Sequence, residues 1–453
     1  MFKDSTVAEI EKNMQEAWLA FHEYRRKTLK QRAGFMRQVA EEIEQLGDKL
    51  IHTAMQETNL PEARLRGEKA RTIFQLNSYA SFCESGQWLD ARIDTAIPDK
   101  TPPKPDIRKM LVPLGPVVVF GASNFPFAYS TAGGDTACAF AAGCPVIVKA
   151  HPAHARTSEL MAAAIKKAIT KTNMPAAVFS HIHGASYEIG EALVKHPFTK
   201  AVGFTGSFAG GKQLFDWGNQ RKEPIPVFAE MGSVNPVFLF PEKMKSGVVE
   251  AARQLAGSIT LGAGQFCTNP GIIIGIYNED LEQFIKHLSD EIKLVAPAPM
   301  LHPGIHNNYI EKRATALSQP EVKTVAMAVA SGNQLEGTAT IAYTSATNFL
   351  QNPLLHQEVF GPYSIVIGCS DMHEMKTVAE KIVGQLTATI LATENEIAVN
   401  EDIVESIKNI CGRLILNGVP TGVEVCLSMQ HGGPFPASTD SRFTSVGADG
   451  IRR

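Results

Sequence analysis

Cys267 lies in Gly262-Ala-Gly-Gln-Phe-Cys267-Thr-Asn-Pro-Gly271, a turn whose glycines and proline bring backbone close around one sulfur. A thiolate is a strong nucleophile near neutral pH, so this turn is a candidate for attack on an electrophilic carbon. Glu230, in Phe228-Ala-Glu-Met-Gly-Ser233, is a carboxylate among apolar neighbours at a strand end. Burial there should raise its pKa toward neutrality and suit it to take a proton from a thiol or from water. Asn124, in Ala122-Ser-Asn-Phe-Pro126, offers a side-chain amide to a developing oxyanion. Phe204-Thr-Gly-Ser-Phe-Ala-Gly-Gly211 runs from a strand through a turn into a helix start, where free N–H groups attract phosphate. In Glu358-Val-Phe-Gly-Pro362 a carboxylate can hold a ribose diol and an aromatic ring can press on a flat heterocycle. Taken singly, each motif has a plainer reading: an inert buried cysteine, a turn glutamate, a turn asparagine, a helix cap and a strand-start turn.

Positioning such groups takes a framework, and the hydrophobic rhythm supplies one. Residues 5–80 read as helices, with Phe35, Met36, Val39, Ala40, Ile43, Leu46 and Leu50 forming one apolar stripe. Residues 93–110 are extended and proline-rich, the pattern of a projecting hairpin. From Val117 onward short apolar runs alternate with helical segments: Val117–Phe120, Pro145–Lys149, Val178–Ile182 and Ala201–Phe204 as strands, with helices between them. That alternation predicts a parallel, doubly wound sheet. A second α/β unit follows, with strands at Val234–Phe240, Gly271–Ile276, Tyr363–Ile367, Ala388–Leu391 and Arg413–Leu416. Residues 417–453 are rich in glycine and proline and show little periodicity. Leu111–Val148 carries one charge, Asp135, but its glycines and prolines break it into pieces too short for a membrane span.

Composition narrows the class. A chain of 453 residues exceeds one compact core, and 44% apolar with 20% charged residues is ordinary for a soluble globular protein. A formal net charge of −3 argues against nucleic acid as a partner. Seven cysteines without a Cys-x-x-Cys pair fit a reducing, cytoplasmic location and argue against a structural metal site.

In their order along the chain, the cysteine, glutamate and Phe-Thr-Gly-Ser motifs resemble the aldehyde dehydrogenase superfamily, from about Val7 to Gly450. Phe120-Gly-Ala-Ser-Asn-Phe-Pro126, Ser130-Thr-Ala-Gly-Gly-Asp135 and His431-Gly-Gly-Pro-Phe-Pro436 look like its 2,5-dioxovalerate (α-ketoglutaric semialdehyde) dehydrogenase branch. The NADP-dependent fatty-aldehyde enzymes of marine bacteria are similar too. The resemblance implies two Rossmann-type domains plus a short β-arm. Residues 1–92 and 112–229 would form the dinucleotide-binding domain, 93–111 the oligomerisation arm and 230–416 the catalytic domain, with 417–453 returning to the active-site mouth.

It also implies a reaction. Cys267 would add to the aldehyde, with Asn124 and the Cys267 backbone N–H holding the oxyanion. Hydride would pass to the nicotinamide, and Glu230 would activate water to release the acid from the resulting thioester. Lys149, Gly206, Ser207, Gly211, Gly232, Glu358 and Phe360 would contact the cofactor, and Phe127, Phe266 and Phe435 would line an aldehyde tunnel, with plain core packing the equal alternative for Phe127 and Phe435. Pro152 stands where NAD-preferring relatives carry a glutamate, which favours NADP over NAD. The substrate stays open between 2,5-dioxovalerate and a medium- or long-chain fatty aldehyde. A dioxo acid needs a cationic anchor that the sequence does not locate. Glu230 argues against transfer of the acyl group to CoA. The presence of both Cys267 and Glu230 argues against a non-catalytic structural member, and the phosphate-binding turn against a plain cysteine hydrolase. Relative to the superfamily the chain is short at both ends, which bears on the homodimer that the arm implies.

Overall fold

The computed structural model describes residues 2–453. Four helices open the fold: α1 (Val7–Tyr24), α2 (Leu29–Glu44), α3 (Gly47–Thr58) and α4 (Glu62–Ser85). Reciprocal side-chain caps start the first two, Thr6 with Glu9 and Thr28 with Gln31. Phe35, Met36, Val39, Ala40, Ile43 and Leu50 are buried as the stripe predicts, packed against Phe140, Val146 and Ile165. β1 (Arg92–Asp94) and β2 (Ile107–Lys109) pair antiparallel as an exposed hairpin.

The first sheet is built from β3 (Val117–Phe120), α5 (Gly134–Ala142), β4 (Val146–Lys149), α6 (Ala155–Lys171), β5 (Phe179–Ile182), α7 (Tyr187–Lys195), β6 (Ala201–Thr205), α8 (Phe208–Asn219) and β7 (Val227–Glu230). Its strands run in the order β5-β4-β3-β6-β7, all parallel. The chain winds outward from β3 in one direction and then returns to β6 on its other side. A crevice therefore opens at the carboxyl ends of β3 and β6, the usual ligand position in such sheets.

The second sheet takes β8 (Val237–Leu239), α9 (Pro241–Thr260), β9 (Ile272–Ile276) and α10 (Glu279–Lys293). After β10 (Ala298–Pro299) and α11 (Pro303–Leu317) come β11 (Lys323–Met327), β12 (Glu336–Gly337), β13 (Thr340–Ser345) and α12 (Ala346–Gln351). β14 (Tyr363–Cys369), α13 (Met372–Lys381), β15 (Gln385–Leu391), α14 (Glu394–Val399), α15 (Glu401–Asn409) and β16 (Cys411–Leu416) complete it. The order is β11-β13-β14-β9-β8-β15-β16, with only β11 antiparallel. β10 and β12 form a separate two-residue ladder.

Two differences from the sequence reading have physical causes. β11 and β13 are absent from that reading: β11 is a mostly exposed edge strand, and β13, though buried, has hydroxyl residues at both ends and only three apolar residues in a row. Glu230 closes β7, paired with Thr205, and so belongs to the first sheet rather than opening the second unit. The last segment packs along the free edge of β7. Met231 N–H donates to Ala437 O at 2.8 Å, and the Thr439 hydroxyl accepts from Ala229 N–H at 2.9 Å. Among the described residues no helix is long and apolar enough to cross a membrane.

Candidate active site

The turn carrying Cys267 precedes β9, and the carboxylate of Glu230 ends β7, so the start of one sheet faces the finish of the other. Gly262, Ala263 and Gly264 take three successive positive φ angles of 56°, 54° and 65°. At Gly264 a side chain would run into the Gly361–Pro362 backbone, so the Cys267 turn and the Glu358–Pro362 motif pack main chain to main chain. Asn235, unremarked in the sequence, secures the turn from below. Its amide donates to Cys267 O at 2.8 Å and Asn269 O at 2.9 Å, and its carbonyl accepts from Thr387 Oγ1 at 3.0 Å. Each such buried bond is worth about 1 kcal/mol net, and more if one partner is deleted and the other left unsatisfied.

His431, from the C-terminal segment, joins the two candidate groups. Its Nε2 lies 3.3 Å from Cys267 Sγ and 3.1 Å from Glu230 Oε1. Ser445 Oγ donates to the other Glu230 oxygen at 2.5 Å. These contacts overturn the expectation that burial raises the Glu230 pKa. Burial does push it up and is the largest single influence, but His431, Ser445 and Cys267 together outweigh it, and the carboxyl titrates below its ordinary range. Cys267 moves the opposite way: burial and the nearby Glu230 charge push the thiol well above its ordinary value. The resting pair is thus a neutral thiol beside an ionised carboxylate, bridged by one imidazole. The same thiol, imidazole and carboxylate donors lie within 4.8 Å of one another, close enough to hold a metal ion, as do those of Glu159, His181 and His183.

Asn124 lies at the end of β3 close to the thiol turn, where its Nδ2 donates to Gln265 O at 3.2 Å. One amide hydrogen of that group remains for another acceptor. The phosphate turn is formed as expected: Ser207 caps α8 by accepting from Gly210 N–H at 3.3 Å. Gly206 N–H is committed to Glu230 O at 3.0 Å, so the free donors are the following helix amides. Gly211 is buried, and a Cβ there would come within 2.5 Å of Met231 Cγ. It therefore seats α8 on β7 rather than facing phosphate, a correction to the sequence reading. Gly232 also acts indirectly, since a Cβ there would lie 2.7 Å from Glu358 Oε2 and unseat that carboxylate.

Glu358 and Phe360 line one cleft with Ser233, Gly264 and Phe266. Burial pushes the Glu358 carboxyl up to about 7, with Lys312 opposing. Lys149 ends β4 half-buried; burial lowers its pKa and the Asp4 charge raises it. Pro152 starts a short turn beyond it, with no carboxylate at that position. These placements fit a dinucleotide: helix amides for a pyrophosphate, a carboxylate for a ribose diol and an ammonium at the adenosine end.

Of the three tunnel phenylalanines only Phe266 stands beside the thiol. It packs edge-on to Phe125 with ring centroids 5.6 Å apart, in a cluster with Tyr129, Val425 and Val446. Phe127 is fully buried in the core formed with the N-terminal helices. Its backbone N–H donates to Glu68 Oε1 at 2.8 Å. Phe435 is 53% exposed and meets Phe208 at the start of α8, at the cofactor end of the crevice. Sequence reasoning missed Phe125 and Tyr129, which the turn after β3 directs to the opposite side from Phe127. It also missed Arg64 and Arg71. Arg64 lies 4.6 Å from the Phe125 centroid and 4.7 Å from that of Phe266, and Arg71 Nη2 donates to Tyr129 Oη at 3.2 Å. Their only sequence signal is a seven-residue spacing on α4.

Residues 1–435 match the model of the aldehyde dehydrogenase family. The chain is 45% identical to alpha-ketoglutaric semialdehyde dehydrogenase 2 of Azospirillum brasilense, covering 100% of this chain and 86% of that protein. It is 43% identical to the alpha-ketoglutaric semialdehyde dehydrogenase of Acinetobacter baylyi with the same coverages, 100% and 86%. Its fold superposes on a solved 1-pyrroline-5-carboxylate dehydrogenase with a TM-score of 0.83 at 19% identity, over 99% of this chain and 84% of that one. A reactive-thiol turn between two parallel sheets, set beside a dinucleotide crevice, is accounted for by these matches: the chain belongs to the aldehyde dehydrogenase family, which oxidises aldehydes with NAD(P).

Proposed function

We propose that the protein oxidises 2,5-dioxovalerate to the dicarboxylic acid, with NADP preferred over NAD. The observation that carries the chemistry is the Cys267–His431–Glu230 contact at 3.3 and 3.1 Å. Cys267 starts as a thiol, so its proton must leave as sulfur attacks. The ionised Glu230 and the imidazole beside it receive that proton. Sulfur adds to the aldehyde carbon, and the new oxyanion takes the spare Asn124 amide hydrogen and the Cys267 backbone N–H. The nicotinamide, when bound, supplies the two-electron acceptor. Glu230 first gives the thiol proton up to solvent; ionised again, it removes a proton from water, which cleaves the Cys267 thioester and frees the acid.

The substrate assignment draws on the two relatives above, both named for α-ketoglutaric semialdehyde, which is the same compound. The cofactor preference draws on Lys149 and on Pro152, whose position offers no negative charge to repel a 2′-phosphate. The β1–β2 hairpin carries exposed Ile93, Ile97, Ile107 and Met110, a pattern that supports its reading as a homodimer arm. Steady-state kinetics over a panel of dioxovalerate, alkanals and hydroxyaldehydes, with NAD⁺ and NADP⁺ in parallel, tests the proposal. A higher kcat/KM for dioxovalerate with NADP⁺ is expected; a preference for long-chain alkanals sinks the substrate, and a preference for NAD⁺ sinks the cofactor.

A further inference from the structure

Two half-buried arginines near the thiol lack a counter-ion. Arg71 on α4 makes one side-chain hydrogen bond, to Tyr129 Oη at 3.2 Å, and its Nε is buried without a partner. Arg413 on β16 donates to Pro420 O at 3.1 Å, Gly422 O at 3.2 Å and Met429 Sδ at 3.4 Å, and its Nε is likewise buried and unpartnered. Neither lies within ion-pair distance of a carboxylate among the described residues. Arg64 differs: it faces Glu68 at 4.0 Å, donates to Asn124 O at 2.9 Å and is stacked on two rings. Each keeps a guanidinium donor shut from water with no acceptor and no carboxylate in range, so the two together are poised for an anion.

Both arginines converge on one place. Arg71 holds Tyr129, whose ring centroid is 6.4 Å from that of His431, and His431 touches Cys267. Arg413 touches Met429, which packs on the same Phe125–Tyr129–Phe266 cluster. A ligand with its carbonyl at Cys267 therefore places its far end against Tyr129 and the two forks. We propose that Arg71 and Arg413 bind the distal carboxylate of a short oxo-acid aldehyde and so select it over alkanals. Arg64 has one Nη buried without a partner as well, but Glu68 faces it as a counter-charge, and it forms the ring-stacked wall between them and Asn124. Guanidinium forks match a carboxylate in shape as well as charge, which an apolar tunnel for a fatty chain would not require. This inference rests on the oxo-acid reading above and names the residues that enforce it.

The test compares 2,5-dioxovalerate with pentanal, of the same carbon count and without the carboxylate. In R71M and R413M the ratio of kcat/KM for the two should fall roughly 100-fold, through KM for the oxo acid. R71K, which keeps the charge and loses the fork, should fall between wild type and R71M. Glutarate, an unreactive dicarboxylate, should slow iodoacetamide alkylation of Cys267 in wild type and not in the variants. Equal losses on both substrates, or glutarate protection that survives in R71M and R413M, overturns the arginine assignment while leaving the oxo-acid reading intact. A wild-type enzyme that prefers pentanal and gains no protection from glutarate overturns both.

Discussion

Cys267 Sγ and His431 Nε2 stand 3.3 Å apart although 164 residues separate them in the chain. The same nitrogen faces Glu230, so one imidazole edge serves both the group that must lose a proton and the group that must accept one. Ser445 fixes the far oxygen of Glu230 and leaves the near one toward this pair.

His431→Ala should slow alkylation of Cys267 at neutral pH by on the order of 100-fold, the usual worth of a positioned proton acceptor. It also removes the partner that keeps Glu230 below its ordinary 4.5, so burial then raises that pKa. The sign follows from linkage. In wild type the Glu230 contribution to stability is present above pH 4.5 and lost as pH falls through the lower folded value. In the variant it is present below 4.5 and lost as pH rises toward neutrality. Melting temperature against pH reads both, and identical profiles would remove His431 from the pair.

Cys267→Ala should abolish aldehyde oxidation and esterase activity together, because both need the sulfur. Glu230→Gln should slow thioester hydrolysis most, giving a burst of reduced cofactor followed by a slow steady state. A full steady-state rate in Glu230→Gln would exclude it as the hydrolytic base.

Glu358 titrates near 7 in the free protein because burial raises it. A ribose diol donates best to the ionised form, so the cofactor KM should fall as pH rises through about 7. Glu358→Gln should raise that KM and flatten its pH dependence. A wild-type KM that is constant from pH 6 to pH 8, around that value of about 7, would separate Glu358 from cofactor binding.

Phe127→Ala should cost about 3–5 kcal/mol of stability, the usual penalty for emptying a buried aromatic site. It should leave the order of preference among aldehydes unaltered, since Phe127 lies in the core. Phe266→Ala should instead reorder aldehyde preferences by chain length, because Phe266 packs beside the thiol with Phe125. Chemical denaturation and an alkanal series distinguish the two.

Gly264→Ala should fail on two counts, a φ of 65° and collision with the Gly361–Pro362 backbone. The turn and the Glu358 motif must then separate, so the alkylation rate of Cys267 and the cofactor KM should worsen together. A defect in only one of them would show that the two are not mechanically joined.

The reactive turn, the ordering of the α/β units and the helix-start phosphate site were legible in the residues, because they depend on local requirements. Glycine permits positive φ, apolar runs of four residues make buried strands, and a hydroxyl caps a helix. Cys267, Glu230, Asn124, Ser207 and Glu358 stood out through their combination and order along the chain, each alone having a plainer reading. What the tertiary structure decided was environment. Glu230 reads as a desolvated acid in its own segment, yet it is held ionised by His431 and Ser445, more than 200 residues away. Phe127 read equally as tunnel lining or core, and packing put it in the core while Phe266 stands by the thiol. Gly211 looked like a phosphate contact and became a packing surface for Met231. Arg71 and Arg413 carry no motif, since a carboxylate site assembled from a helix and a strand over 300 positions apart leaves no periodic trace in either. Backbone geometry is set by residues close in sequence, whereas charge, solvation and proton position are set by residues close in space.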